Sequence, residues 1–131
     1  HTERGRDGCR VPMPWEGSAP PFGFSTNPVT WLPIPPEWAR LTVERQAADD
    51  GSTLNFFREL IRLRRNVFRF HGNHVEWVRH DEDVMAFRSG GVLCMLNAGE
   101  RAVPLDGGRL LAASSALTGG RLAPDSAAWL V

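Results

Sequence analysis

Residues 84–97 read VMAFRSGGVLCMLN and contain the clearest strand signal in the chain. Val84–Arg88 and Val92–Leu96 are short runs of apolar and β-prone residues, and the Gly90-Gly91 pair between them favours a tight turn. Val92–Leu96 is also a run of five apolar residues, which no other run in the chain exceeds and which is far below the roughly 18 residues that a membrane-spanning helix needs. The stretch therefore predicts an antiparallel hairpin whose second strand is buried.

Working outward from this hairpin, similar short runs separated by turn residues continue to the end of the chain. Pro104 suits an edge strand because proline cannot donate a ladder hydrogen bond. Trp77 and Trp129 fall at strand positions, where we expect core packing rather than stacking on a sugar. The pattern predicts an antiparallel β-sandwich over residues 72–131. Its remaining strands are predicted at residues 75–78, 102–105, 109–112, 121–123 and 127–131, with a turn at 81–83.

The first 45 residues have a different composition. Eight of the ten prolines lie between Pro12 and Pro36, which excludes a long helix or a central strand there. The same segment contains Trp15, Trp31 and Trp38, more aromatic surface than a solvated linker carries. We therefore expect a Pro/Trp-rich loop that is ordered against a surface.

One amphipathic helix is predicted between this loop and the sandwich. Ser52 is a suitable N-cap, and apolar residues from Leu54 to Phe68 fill one half of a helical wheel. Arg64 projects from that apolar half, so it either extends its guanidinium to solvent or pairs inside a buried environment. The helix has more apolar face than the chain obviously covers, which predicts a missing partner.

The overall composition excludes several classes of protein. The 131 residues include 15 basic and 15 acidic residues, so the net charge is zero and a nucleic-acid partner is not expected. A membrane partner is not expected either, since the apolar runs are short. Cys94 suits a small buried residue and Cys9 a loop, so a disulfide is disfavoured, no zinc site is predicted, and a cytoplasmic location is expected.

The residues with most chemical potential lie at the start of the chain, in RGRDGCRVPMPWE at positions 4–16. Arginine forks suit carboxylates, phosphates and vicinal sugar hydroxyls, and glycine allows close approach of backbone. Read by residue type alone, the same stretch is equally explained as an Arg–Asp ladder that holds a loop. Both interpretations stay open at this point.

No complete catalytic group can be assembled from the other candidates. Glu3, Asp7 and Glu16 are too close in sequence to flank a glycosidic bond as a carboxylate pair. The hydroxyls of Ser114 and Ser115 lack a neighbouring base. Three histidines, His71, His74 and His80, do not have metal-ligand spacing and are interpreted as surface residues. We therefore predict no catalytic and no metal-binding residue in this chain.

Residues 6–15, RDGCRVPMPW, resemble the R-D-x-x-R-[TV]-P-M-[QP]-W motif of α-glucosidases in the α-amylase superfamily, a group that includes oligo-1,6-glucosidases. Further elements follow in the family's order: Gly23-Phe24-Ser25, Trp31-Leu32-Pro33, Val43-Glu44-Arg45-Gln46 and the helix that begins at Ser52. The resemblance weakens through the β region.

This resemblance implies the C-terminal part of a retaining α-glucosidase. It implies that residues 1–71 are the last loop and helix of a catalytic (β/α)₈ barrel, and that residues 72–131 are the C-terminal β-sandwich. The catalytic Asp, Glu and Asp would precede His1, so the chain alone would be inactive. Its implied partners are the missing barrel and, in the full-length enzyme, an α-glucoside substrate, with no cofactor.

The resemblance also assigns individual residues. Arg6 matches the arginine that faces glucose at the −1 subsite, whereas Asp7 and Arg10 match positions that orient the loop. Cys9 and Pro14 depart from the residues most common in the family, which leaves the linkage preference open. The competing class is a free-standing β-sandwich for carbohydrate binding or protein association, which two exposed, coplanar aromatic rings on one face would favour.

Overall fold

The computed structural model describes residues 5–67, 74–80 and 82–131. The chain divides into two compact units, His1–Glu59 and Leu60–Val131, which are described separately below. The domain division after residue 71 stays a prediction, and residue 71 itself lies outside the described residues. So do Phe68, Gly72 and Asp81, on which parts of the predicted helix and turns depend.

The first unit consists mostly of ordered loop. Two short 3₁₀ segments cover Arg6–Cys9 and Pro36–Leu41, and no long helix forms among the prolines of its described part. Phe22 is 1% exposed and accepts hydrogen bonds at its carbonyl from the amides of Trp15 and Glu16, at 2.8 and 3.0 Å. Ile34 and Thr42 are also buried. These anchors agree with the predicted ordering of the Pro/Trp-rich segment only in part, because Trp15 and Trp31, on which that prediction rests, are 50% and 93% exposed.

The described part of the chain contains two α-helices where the sequence predicted one. Helix α1 spans Val43–Ala47 and begins after Thr42, whose hydroxyl accepts the Arg45 amide at 3.3 Å. The prediction missed this helix because five residues are too few to show a 3.6-residue period. Helix α2 spans Thr53–Val67, and the predicted cap is confirmed: the Ser52 hydroxyl accepts the Asn55 amide at 3.2 Å.

The apolar half of α2 is only partly covered. Leu63 is buried, but Phe57 and Ile61, one turn apart, are 58% and 48% exposed. Arg64 is exposed, so the burial considered for it in the sequence does not occur here.

Seven strands follow among residues 74–80 and 82–131, at the predicted positions to within a few residues. They are β1 Glu76–His80, β2 Val84–Ser89, β3 Val92–Asn97, β4 Val103–Pro104, β5 Leu110–Ala113, β6 Arg121–Leu122 and β7 Ser126–Leu130. Five of them form an antiparallel sheet in the order β1-β2-β3-β7-β5, and β4 pairs with β6 in a second, two-stranded sheet. The predicted mainly β, antiparallel fold is therefore confirmed, and Pro104 lies in an edge strand as expected.

The core of the second unit lies on one face of the five-stranded sheet. Alternate residues of β2, β3 and β7 point into it, because successive side chains of a strand face opposite sides. Leu122 of β6 is fully buried in the same cluster, with Val103 of β4 packed against it. The other cluster members are Val84, Ala86, Leu93, Met95, Ala128 and Leu130.

The opposite face of the sheet carries a row of apolar side chains across all five strands. The register places Trp77, Phe87, Cys94, Trp129 and Ala112 side by side. Trp77 is 58% exposed, so its predicted core packing is wrong. The reason is its place in β1, an edge strand whose neighbour lies on one side only.

None of the helices in the described part of the chain is long and apolar enough to span a membrane.

Candidate active-site loop

The arginine motif begins with a single 3₁₀ turn, Arg6–Cys9. Gly5 precedes the turn, and the Arg10 amide closes it by donating to the Asp7 carbonyl at 2.9 Å. The turn brings Asp7 and Arg10 to the same side, because residues three apart meet in a 3₁₀ conformation. All residues from Gly5 to Arg10 are exposed.

Asp7 and Arg10 form a weak ion pair. Arg10 Nη1 lies 3.9 Å from Asp7 Oδ1, and the two side chains are 68% and 66% exposed. A pair this exposed contributes between about 0 and 1 kcal/mol, because water screens it. The ladder considered from the sequence thus exists, but it joins only these two residues in the described part of the chain.

Arg6 occupies a different position from Arg10. The structure gives its guanidinium no ion pair or hydrogen bond with any described residue. An exposed arginine with five donors is available to a carboxylate or to vicinal hydroxyls.

The second half of the motif is held much more firmly than its first half. Val11 and Pro12 are half-buried and Pro14 is buried. The Pro14 and Trp15 carbonyls accept the amides of Val43 and Glu44 at 3.0 and 2.9 Å. Helix α1 therefore attaches directly to the end of the motif, a contact that sequence analysis missed.

A second hydrogen-bonded cluster connects α1 to α2. The Gln46 carbonyl accepts the Ser52 hydroxyl at 2.6 Å and the Asn55 side-chain amide at 3.1 Å. The Gln46 side chain accepts the Leu54 amide at 3.2 Å and donates to the Leu41 carbonyl at 2.8 Å. The polar residues at both ends of the connection thus satisfy one another, and the direction of α2 from α1 is well determined.

The remaining chemical candidates behave as structural residues. Cys9 is an exposed free thiol, and Cys94 is a buried free thiol whose pKa is raised by its burial. The Ser114 hydroxyl accepts a hydrogen bond from the Ala127 amide at 2.9 Å, so this serine takes part in the pairing of β5 with β7. His74 is exposed. No group of three or more metal-binding side chains occurs within the described ranges.

A cavity of about 910 Å³ lies in the second unit, between the β1–β2 and β3–β4 connections. Its lining mixes guanidinium and carboxylate groups, among them Arg79, Arg101, Glu82 and Glu100. None of the motif residues lines it.

Comparison with known proteins identifies the class to which this fold and loop belong. Residues 1–71, just over half of the chain, match the alpha-amylase family in its catalytic domain. The chain therefore belongs to the alpha-amylase family.

Several curated relatives are similar to parts of this chain. A probable alpha-glucosidase of Rhizobium meliloti (strain 1021) is 35% identical over 103 residues, which cover 76% of this chain and 18% of that protein. An alpha-glucosidase of Culex pipiens is 39% identical over 70 residues, 53% of this chain and 12% of that protein. The chain thus spans less than a fifth of the length of these relatives.

A solved structure agrees with them. The alpha-glucosyl transfer enzyme XgtA superposes with a TM-score of 0.64 at 30% identity, covering 96% of this chain and 26% of that one. The similarity therefore extends through the β region, beyond the residues that match the catalytic domain.

Proposed function

We propose that this chain is the C-terminal part of a retaining α-glucosidase that acts on α-linked glucosides. The observation that carries the proposal is the RDGCRVPMPW motif, whose first half, Arg6–Arg10, is exposed within the residues that match the alpha-amylase catalytic domain. The names of the similar proteins, an alpha-glucosidase among them, support the substrate class. Residues 1–71 are proposed as the end of the barrel and residues 72–131 as the C-terminal β-sandwich.

Arg6 is proposed to bind the glucose at the −1 subsite. Loops that follow barrel strands form the active sites of such enzymes, and a planar fork of donors suits both an upstream aspartate and a sugar hydroxyl. Its exposure and its lack of a partner among the described residues support this role. Asp7 and Arg10, paired across the 3₁₀ turn, are proposed to orient the loop.

The chain is proposed to be inactive alone. Retaining glycosidases need two carboxyl groups about 5 to 5.5 Å apart, one as nucleophile and one as acid/base. The carboxylates near the motif do not provide such a pair, since Asp7 already faces Arg10. A cytoplasmic location is part of the proposal, because two free thiols suit a reducing compartment.

The competing function, a free-standing carbohydrate-binding sandwich, has weaker support. Coplanar exposed rings would form a platform for a sugar face. Trp77 and Phe87 instead meet edge to face, with an interplanar angle of 69° and ring centroids 5.7 Å apart. No second candidate function is therefore proposed.

The test is a kinetic comparison in the full-length protein, expressed from the coding sequence that includes any region upstream of His1. We expect α-glucosidase activity in that protein and none above background in residues 1–131. Arg6→Lys should lower kcat/KM by on the order of 10²-fold, about 3 kcal/mol of transition-state binding, because a point charge cannot replace the fork. Its melting temperature should stay near the wild-type value, since Arg6 is exposed.

Arg10→Lys is the matched control. It retains the charge that faces Asp7 and alters an ion pair of small energy, so turnover and stability should both stay near wild-type values. Normal turnover for Arg6→Lys, or turnover by the isolated chain that disappears on mutating one of its acids, would overturn the proposal.

A further inference from the structure

The first amide groups of helix α1 donate hydrogen bonds to acceptors that lie outside the helix. The first turn of a helix leaves N–H groups without internal partners. Here Val43 and Glu44 donate theirs to the Pro14 and Trp15 carbonyls, and Arg45 donates to the Thr42 hydroxyl. A helix of five residues is thereby stabilised by a chain segment that lies 29 positions earlier in the sequence.

Glu44 adds a third contact to the same segment. Its Oε2 accepts the Gly17 amide at 2.9 Å. Gly17 has φ +80°, a left-handed conformation in which an L side chain is strained. A carboxylate acceptor makes a stronger hydrogen bond than a neutral one, so Glu44 helps to hold this turn. We call Val43 and Glu44, with their hydrogen bonds to Pro14, Trp15 and Gly17, the α1 clamp.

The clamped segment is held from its other side as well. The Trp15 and Glu16 amides both donate to the Phe22 carbonyl, and Phe22 is buried. Pro14 and Thr42 are buried too, whereas the Glu44–Gly17 hydrogen bond is exposed. Backbone hydrogen bonds therefore hold residues 14–16 from two sides, and the Glu44 carboxylate adds an exposed contact at Gly17.

The connection from the clamp back to the motif is short and stiff. Pro12 and Pro14 flank Met13, and each proline fixes its own φ and restricts the residue before it. A displacement of Pro14 is therefore passed to Arg10 and to the turn that carries Arg6, because little rotational freedom remains to absorb it. Small displacements matter, since about 1 Å of misplacement can lower a rate by up to 10²-fold.

We propose that Glu44 is a positioning residue, which holds the Arg6 loop in its working position through Gly17 and the α1 clamp. This inference rests on the proposed function, because it assigns to Glu44 an effect on the reaction in which Arg6 takes part. No hydrogen bond between described residues joins the Glu44 side chain to Arg6 or to the side chain of another motif residue.

The test compares Glu44→Ala and Glu44→Gln in the full-length protein, with p-nitrophenyl α-glucoside as substrate. Glu44→Ala should lower kcat/KM by about tenfold while the melting temperature changes by less than about 2 °C. Glu44→Gln retains an acceptor for the Gly17 amide and should recover kcat/KM to within about threefold of wild type. In the 131-residue chain, amide exchange at Gly17 should be at least about fivefold faster in Glu44→Ala than in wild type.

Glu37→Ala is the matched control, since Glu37 is an exposed glutamate of the 3₁₀ segment Pro36–Leu41. It should leave kcat/KM, melting temperature and Gly17 exchange unchanged. A wild-type kcat/KM in Glu44→Ala would overturn the positioning role. So would a loss of kcat/KM that Glu44→Gln shows to the same extent, or a loss that is explained by a lower melting temperature. A full-length wild-type protein without α-glucosidase activity would instead count against the proposed function itself.

Discussion

Asn97 has no exposed surface, and its side chain connects three parts of the β unit. Its Nδ2 lies 2.9 Å from the Arg101 carbonyl, 3.2 Å from the Leu122 carbonyl and 2.9 Å from the Ala123 carbonyl. Its Oδ1 accepts the Gly99 amide at 3.1 Å. One amide group thus joins the end of β3 to the following turn and to β6, in a place where buried polar groups need partners.

Asn97→Ala should strongly destabilise the chain. The substitution leaves buried carbonyls and the Gly99 amide without a partner, which costs about 2 to 4 kcal/mol. Urea denaturation followed by tryptophan fluorescence measures the change. Asn66→Ala, at an exposed position of α2, should stay within about 0.5 kcal/mol of wild type. Similar stabilities for the two variants would contradict the connecting role of Asn97.

The two cysteines differ in environment and therefore in reactivity. Burial raises the pKa of Cys94, which means that less of its thiol is ionised at a given pH. Cys9 is exposed. Since the thiolate is the nucleophile, the difference predicts selective modification.

Iodoacetamide at about pH 8 should label Cys9 at least about tenfold faster than Cys94 in the folded chain. Labelling of Cys94 should rise only above the pH at which an ordinary thiol ionises, because burial raises its pKa. Peptide mapping by mass spectrometry measures the two rates. In urea the two cysteines should react at similar rates, and equal rates in the folded chain would show that Cys94 is accessible.

At the scale of elements, the turn before β5 depends on two adjacent glycines with different surroundings. Gly107 and Gly108 have φ +78° and +93°, so both occupy left-handed conformations. A Cβ on Gly108 would lie 2.8 Å from the Val131 carbonyl oxygen, whereas a Cβ on Gly107 would meet nothing within 4 Å. Beside them, Arg109 and Val131 exchange backbone hydrogen bonds at 2.6 and 3.0 Å.

Gly108→Ala should therefore destabilise the chain more than Gly107→Ala. The two substitutions share the conformational strain, about 1 kcal/mol, but only the first also displaces backbone at the β5–β7 pair. We expect a difference of at least about 1 kcal/mol in the free energy of unfolding, measured by urea denaturation. Equal losses in the free energy of unfolding would mean that the backbone at Val131 moves away from the added Cβ at no measurable cost.

At the scale of the whole molecule, backbone protection should be uneven. Strand β3 lies between β2 and β7, so both of its edges are hydrogen bonded. Residues 25–32 rely instead on short side-chain turns, such as the Asn27 amide donating to the Ser25 hydroxyl at 3.0 Å. Open backbone of this kind exchanges its amide protons readily.

Amide exchange in the isolated chain should be at least about 10²-fold slower at Val92–Asn97 than at residues 25–32. The amides of Trp15 and Glu16 should lie between these limits, because both donate to the buried Phe22. Hydrogen exchange followed by NMR measures all three groups. Uniform protection from Pro12 to Pro36 would contradict this ordering of the first unit.

Sequence analysis predicted the local structure well wherever the signal repeats along the chain. The seven strand runs, the glycine turn at Gly90-Gly91 and the Ser52 cap of α2 are all present. Each depends on neighbouring residues, through a two-residue period, a positive φ or a capping hydroxyl. The motif at residues 6–15 likewise led to the family, although the roles of Arg6, Asp7 and Arg10 stay predictions.

The sequence by itself determined the kind of each main element, the mainly β class and the family. Only the tertiary structure decided that β7 lies between β3 and β5, and that the edge position of β1 exposes Trp77. It alone revealed α1 and its bonds to residues 14–17. The physical reason is the sequence separation of the interacting residues. Periodicity and turn chemistry act between near neighbours in the chain. Strand order and the α1 clamp instead join residues far apart in the chain, and packing selects those pairs.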